Sequence, residues 1–473
     1  MTERVVILGG GLAGLACGYE LSRDQHPITI VERENDVGGM ATSFIEDGDE
    51  YWTHDFGPHR FHTTDENLIE HVQEILGDNI VWADRLSRIL LFNKLFDYPL
   101  NAKNVLRNMP PHLLVRSFLD YFWVRFLDTC KLKKFPDVSF EDWVTRRFGK
   151  TLYRIFFGQY TEKTWAMPPS QISATWASQR ITLLSLWDTV MKTLFPKAGN
   201  TPRTLVRKFM YPKYGGIGEL ARGYARRIEA NGGEVLLNSP AVRILHDGNY
   251  NITGVEYGKR ERKVVTGSHY VNSIPITALV RALSPRAPAD ILKHVAATRY
   301  MSIVFIYLKL DRESVSPDSW IYLPEKHLTV HRISEFRNFS KTCAPAGKTM
   351  ICAEITCRRG DEIWRMDEKG LQDVAEGDLV KTGLLEKGQI LESFVKRVPY
   401  AYPIYDLEWE THLAPIQEFV QGIPGLTTTG RQGNFRYNNM DQSVAMGRAV
   451  AKEIHSGLRT GHESMATGKE YFG

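Results

Sequence analysis

The sequence predicts an α/β fold: a Rossmann-like dinucleotide-binding domain, a mainly helical insertion domain and an antiparallel β-sheet substrate domain. Three observations predict it. The apolar strand Val5-Val6-Ile7-Leu8 runs straight into a glycine turn, Gly9-Gly10-Gly11-Leu12-Ala13-Gly14. A second apolar strand, Ile28-Thr29-Ile30-Val31, ends on Glu32, eighteen residues past Gly14, close to the ~20 at which a carboxylate meets a ribose hydroxyl. From Asn101 to Phe195 apolar and aromatic residues recur at helical spacing, whereas residues 300–410 are rich in short apolar strands.

Each element follows in order. Gly9 and Gly11 permit the tight turn and close approach of backbone to a pyrophosphate, and Gly14 lets the following helix lie against the strand. The helix N-terminus then faces the phosphates. Past Glu32, the pair Gly38-Gly39 is not needed for NAD. It resembles the flavoprotein pattern in which this loop runs along the FAD pyrophosphate and ribityl chain, so FAD is the expected cofactor. In the helical stretch, Leu114, Phe118, Leu119, Phe122 and Phe126 share one helix face. A membrane-surface helix fits that pattern, but a core-facing helix is the expected reading. Ser139 and Asp142 have capping-box spacing and should start a further helix. After Gly215-Gly216, a helix from Leu220 to Ala230 and the strands Glu234–Leu237, Val242–Leu245 and Ile252–Tyr257 return the chain to the nucleotide domain, with Val242 near the adenine. Ile303–Leu308, Trp320–Leu323 and Met350–Ile355 are expected to form the sheet roofing the cofactor. The last cofactor segment is Leu426–Arg431, with Gly430 and Arg431, and then a helix opening on Met440, Asp441 and Gln442 that runs to Ile454. A helix N-terminus there would favour an anionic reduced flavin. The expected domains are a discontinuous FAD-binding domain over 1–100, 206–290 and 415–460, the helical domain over 101–205, the sheet domain over 291–414 and a loose polar tail over 461–473.

Bulk properties narrow the class. The chain has 473 residues, 43% hydrophobic and 24% charged, with a net charge of +4. That composition is globular and excludes a disordered chain, and the charge is too small to suggest nucleic-acid binding. No apolar run reaches the ~18 residues of a membrane span, and Met1-Thr2-Glu3-Arg4 leads directly into the first strand, so no signal peptide is expected. Five cysteines with no CxxC pattern read as reduced thiols in a cytoplasmic protein. No metal-spaced His/Cys cluster or Ser/His/Asp order stands out, so no metal is expected. The oligomeric state is left open; a homo-oligomer is compatible.

The unusual feature is a set of Arg, Tyr, Trp and His residues in glycine- or proline-marked loops. They are Phe56-Gly57-Pro58-His59-Arg60-Phe61-His62; Tyr160-Thr161-Glu162-Lys163-Thr164-Trp165, followed by Arg180; Trp320-Ile321-Tyr322, followed by Arg332; Tyr400-Ala401-Tyr402-Pro403; and Gly430-Arg431, followed by Arg436-Tyr437 and Met440-Asp441-Gln442. In this order the segments resemble the UDP-galactopyranose mutases, within the wider amine oxidase and protoporphyrinogen oxidase-like superfamily. The resemblance spans nearly the whole chain. It implies a flavoenzyme that interconverts pyranose and furanose forms of a UDP-sugar, through attack of reduced flavin N5 on the anomeric carbon and a flavin–sugar adduct. NAD(P)H or another reductant would prime the flavin. The resemblance further implies that Arg180 and Arg332 grip the substrate diphosphate, in keeping with the planar, always-charged guanidinium. Tyr322, Tyr402 and Tyr437 would bond the same phosphates, His59 would lie beside the isoalloxazine, and Trp165 and Trp320 would line the sugar and uridine pocket. Arg60 and Thr161 depart from the family pattern, which puts the identity of the sugar in doubt. The competing class is an FAD-dependent oxidoreductase of the amine oxidase or desaturase type, which would need an apolar cage and no arginine pair. A non-catalytic FAD-containing scaffold is a third class.

Overall fold

In the computed structural model, which describes residues 4–48, 50–130, 137–180, 208–458 and 461, the chain divides into two units. The first takes the described parts of Met1–Ala83, Lys208–Arg299 and Trp409–Tyr471; the second takes those of Asp84–Arg207 and Tyr300–Glu408.

The first unit is built on a five-stranded sheet in the order Leu426–Thr428, His269–Asn272, Val5–Leu8, Ile28–Val31, Glu234–Leu236, with every pairing parallel. Parallel strands are covered on both faces, which is why Val5–Leu8 and Ile28–Val31 read as unbroken apolar runs and are wholly buried. Helix Leu12–Arg23 follows the glycine turn. A Cβ on Gly14 would stand 2.4 Å from the Gly9 carbonyl oxygen, so the turn excludes any side chain there. Helix Met440–Ser456 packs against this first helix, with its Gly447 close to the Ala13 backbone. A second sheet of four strands carries Ala241–His246, and Val242 sits at its register break between Ala241 and Arg243.

The second unit is built on a seven-stranded sheet in the order Ile390–Pro403, Tyr300–Leu310, Thr349–Cys357, Arg332–Glu335, Trp320–Tyr322, Ser87–Leu91, Lys94–Asp97. It departs from the expected sheet in two ways. Trp320–Tyr322 pairs parallel with Ser87–Leu91, while the other pairings are antiparallel. Strands 87–97, expected in the nucleotide domain because they precede residue 100, instead extend this sheet, where Leu90 joins its core. One face of the sheet, including Val304, Ile306, Ile321, Ile333, Ala353 and Ile355, packs on Leu371, Ala375 and Leu379 of helix Glu368–Lys381. The helical stretch and the sheet fall in this one unit.

The Ser139–Asp142 capping box is present: the Ser139 hydroxyl accepts the Asp142 N–H at 3.1 Å and Asp142 accepts the Ser139 N–H at 3.1 Å, opening helix Phe140–Phe148. Helix Pro111–Thr129 corrects another expectation. Its apolar stripe does not face the core; Leu119, Phe122 and Phe126 are exposed, and only Ser117 and Val124 are buried. All five cysteines are free thiols. The tail expected to be loose lies outside the described residues, Gly461 excepted.

Candidate functional site

The glycine turn leaves the first helix without a side-chain cap at Gly11. Its first N–H groups are therefore free to meet an anion, and the helix dipole favours one. A Cβ on Gly11 would meet nothing within 4 Å, so this side of the turn is open. The second glycine pair closes over it: Gly38, at φ +113°, donates its N–H to the Gly10 carbonyl at 2.7 Å, and Gly11 and Gly38 form a parallel bridge. Gly39 follows at φ +59°. Glu32 is buried and held rigidly. Its Oε2 accepts the Gly10 N–H at 2.6 Å and its Oε1 the Glu34 N–H at 2.9 Å. Each oxygen keeps lone-pair capacity for a hydroxyl. The Ser239 N–H reaches the Glu32 carbonyl at 2.7 Å, which brings the segment before Val242 to the same corner.

Further along, Gly430 begins a one-turn helix, and its Cβ would stand 2.7 Å from that of Ala13. Arg431 donates to the Asn438 carbonyl through Nε (3.1 Å) and Nη2 (2.5 Å) and lies over the Tyr437 ring at 4.9 Å. Its guanidinium thus shapes the 431–438 loop. Asn439 and Gln442 cap the helix that begins at Met440, with the Gln442 Oε1 accepting the Asn439 N–H at 2.8 Å. Around these turns lie buried polar atoms with no protein partner: Thr429 Oγ1, Asn434 Nδ2, Asn438 Oδ1 and Asn439 Nδ2. Buried polar groups of native proteins are almost always paired. An uncapped helix start, a buried ribose-spaced carboxylate and these unpaired groups fit an extended dinucleotide with a polar end group.

His59 stands in the turn set by Gly57, at φ +72°, and its N–H bonds the Gly57 carbonyl at 2.8 Å. The turn is anchored by Asp55, which is fully buried. The Tyr211 hydroxyl donates to Asp55 Oδ2 at 2.6 Å, Ile217 N–H to Oδ1 at 3.3 Å, and the Ser43 hydroxyl also to Oδ1. Burial outweighs these bonds and pushes the Asp55 pKa up to about 7. Arg60 donates to the Pro58 carbonyl at 3.1 Å and lies over the Phe209 ring.

In the second unit, strand register assembles the other predicted residues. Tyr322 pairs with Arg332, and Arg332 with Glu354. Directly opposed residues share a face, so the three stand in one row. The odd-numbered neighbours Ile321 and Ile333 point to the apolar core, which leaves the row on the opposite side of the sheet. The Arg332 Nε donates to Glu354 Oε1 at 2.8 Å and Nη2 to Oε2 at 2.6 Å. The Glu354 side chain is fully buried and that of Arg332 is 18% exposed. Burial opposes the arginine's charge, but Glu354 more than offsets it and holds the pKa well above the ordinary arginine value. One edge of the guanidinium fork is thereby committed to Glu354.

Helix Gln159–Trp165 supplies Tyr160, Lys163 and Trp165. Tyr160 packs edge-on against Tyr322 at 5.5 Å, and Trp165 against Tyr402 at 6.3 Å. The Lys163 Nζ donates to the carbonyls of Leu323 (2.6 Å) and Val330 (3.0 Å), tying the hairpin that carries Tyr322 and Arg332. Burial lowers its pKa to about 8. The His331 pKa falls well below the usual histidine range, through burial first and then through Arg332 and Lys163. Trp320 is buried beneath Arg85, whose guanidinium carbon is 5.7 Å from its ring. Arg180 ends helix Ala174–Arg180, and its side chain lies outside the described residues.

Sequence reasoning missed Glu354 and His331 and gave Asp55, Tyr160 and Lys163 no role. Glu354 had a signal: it is the lone charge in the buried strand Thr349–Cys357.

The chain belongs to the flavin-containing amine oxidoreductase family, whose model matches residues 12–455. Among curated relatives it is 24% identical over 186 residues to the probable UDP-galactopyranose mutase of Klebsiella pneumoniae, covering 37% of this chain and 44% of that one. It is 24% identical over 183 residues to the dTDP-fucopyranose mutase of Escherichia coli, with 37% and 44% covered. It is 22% identical over 376 residues to the 15-cis-phytoene desaturase of Synechococcus elongatus, with 72% and 71% covered. The matches thus span under half the length of the two mutases. Among solved structures, that of a reduced UDP-galactopyranose mutase superposes with a TM-score of 0.84 at 19% identity, covering 100% of this chain and 99% of that one. This likeness establishes the fold expected from the sequence, that of the FAD-dependent oxidase and mutase structures.

Proposed function

We propose that this chain is a flavin-dependent mutase that interconverts pyranose and furanose forms of a UDP-sugar, with UDP-galactose the first candidate. The observation that carries the reading is the row Tyr322–Arg332–Glu354 on the side of the seven-stranded sheet away from its aliphatic core. A half-buried guanidinium flanked by phenols suits a diphosphate, whereas an oxidase or desaturase substrate would ask for an apolar cage. Arg332 is steered by Glu354 through one edge of its fork and offers Nη1 to phosphate oxygens. Tyr322 and Tyr402 donate phenolic hydrogen bonds to the same group, with Arg180 and Tyr437 assigned to it by their sequence segments and Trp165 and Trp320 to the pocket wall. Holding UDP throughout keeps the leaving group in place for recombination, and the arginines stabilise the charge it develops.

FAD would be held by the N-terminus of the first helix, by Glu32, by the Gly38-Gly39 loop and by the segment from Gly430 to Gln442, with His59 beside the ring. When bound and reduced, it supplies the nucleophilic chemistry, with no net redox change after priming by NAD(P)H or another reductant. The sugar is less constrained than the diphosphate, since the two mutases named above are described with different nucleotide sugars. The absence of a long apolar helix among the described residues is in keeping with a cytoplasmic enzyme.

The family match and the desaturase relative favour a second reading, an FAD-dependent oxidoreductase. Incubating photoreduced protein with a panel of UDP-sugars separates the two. Ring-contracted product without stoichiometric reductant use is expected. One NAD(P)H consumed per product, or equal turnover by oxidised protein, would replace the mutase with the oxidoreductase.

A further inference from the structure

Strands Trp320–Tyr322 and Arg332–Glu335 form a hairpin, and the two site residues Tyr322 and Arg332 stand at the end of it nearest the loop. One further main-chain bond follows, from the Leu323 N–H to the His331 carbonyl at 2.9 Å. The next rung is a side chain. The Lys163 Nζ donates to the carbonyls of Leu323 and Val330, at 2.6 and 3.0 Å, and so joins the two arms of the hairpin. Val330 is held from its other edge as well. Its N–H meets Asp378 Oδ2 at 2.9 Å, and the Thr329 N–H meets the same oxygen. Asp378 is buried and belongs to helix Glu368–Lys381. The Val330 residue thus bonds an ammonium through its carbonyl and a carboxylate through its N–H, and bonds of this charge-assisted kind are the strong ones.

Lys163 belongs to helix Gln159–Trp165, three residues after Tyr160 and two before Trp165. Its ammonium therefore ties this helix to the hairpin beside the contacts of Tyr160 with Tyr322, at 5.5 Å, and with His331, at 6.1 Å. A second tie joins the same helix and loop, from Lys326 Nζ to Glu162 Oε2 at 2.6 Å, but both of its side chains are exposed. Exposed pairs contribute little. Filling space would need only an aliphatic chain at position 163. The ammonium adds donors for two carbonyls that lie beyond the hairpin ladder.

We propose that Lys163 is a positioning residue: by bridging the two arms of the hairpin, it sets Tyr322 and Arg332 against Tyr160 and Trp165 in the geometry that grips the substrate diphosphate. It acts through the hairpin and not on the ligand. The proposal rests on the diphosphate reading of this site.

The test is calorimetric titration of the flavin-loaded protein with UDP, which gives affinity and number of sites together. K163M should weaken UDP binding by about tenfold or more, since a misplacement of about 1 Å can cost up to about 10²-fold. The number of sites per flavin should stay as in the parent. K163R, whose fork offers donors to both carbonyls, should recover most of the affinity. K326A, which cuts only the exposed tie, should change little. A lysine that merely stabilises the fold gives another pattern: fewer sites and a lower melting temperature, with the affinity of the remaining sites unchanged. That pattern overturns the proposal, and so does a loss in K326A as large as that in K163M. Should K163M fail to fold, K163Q, which keeps two N–H donors without the charge, decides by the same comparison. A parent that binds no UDP removes the diphosphate reading and this proposal together. A parent that binds UDP no better than K163M does leaves that reading standing and removes the proposal alone.

Discussion

Glu354 is the residue whose removal tests the site most sharply. Its carboxylate is fully buried, and both of its oxygens are taken by the Arg332 fork, at 2.8 and 2.6 Å. Glu354→Ala strands a guanidinium that is mostly out of water, which should cost about 3–5 kcal/mol of stability. Glu354→Gln keeps the shape and one acceptor and loses mainly the charge-assisted part, about 1.5–3 kcal/mol. Removing both partners, as in Arg332→Met with Glu354→Gln, should cost less than the sum of the single losses, with a coupling of about 1–3 kcal/mol. Ligand binding should move differently. Freed from Glu354, the fork of Glu354→Gln can turn wholly to phosphate, so UDP affinity should hold or rise while stability falls. Arg332→Ala should lose UDP affinity by a factor on the order of 10² to 10³, the worth of a desolvated charge-assisted contact. Denaturant unfolding and UDP titration on these variants, with Arg332→Met alone to complete the cycle, measure both quantities. If Glu354→Ala is as stable as the parent, the buried pair is not what the geometry indicates. If Arg332→Ala binds UDP as well as the parent, the diphosphate assignment fails.

Two further outcomes follow from the first unit. Glu32→Ala should weaken FAD retention by about 1.5–3 kcal/mol, the scale of a hydrogen bond to a charged group, and equilibrium dialysis of the cofactor would measure it. Asp55 binds its proton up to about pH 7 in the folded chain, against a reference of 3.8; the folded state thus holds more protons between those values, so stability should fall as pH rises from 3.8 to about 7. Asp55→Asn should flatten that slope in melting temperatures taken across the range, and an unchanged slope would remove Asp55 as its source.

The sequence by itself determined the features that arise from neighbours along the chain. The glycine turn, the apolar runs of the parallel sheet, the spacing of Glu32 and the Ser139–Asp142 cap all express local sterics and hydrogen bonding, and each stands where its residues placed it. The tertiary structure decided what depends on partners distant in sequence. Arg332 was legible as a cation near an aromatic segment, but its partner lies 22 residues on and is chosen by strand register. Strands 87–97 look alike whichever sheet they join, and only pairing with Trp320–Tyr322 assigns them. The helix from Pro111 shows the limit most plainly. Its periodicity revealed an apolar stripe, yet periodicity describes a helix relative to its own axis, and only the tertiary structure shows that the side with Ser117 and Val124 is the buried one.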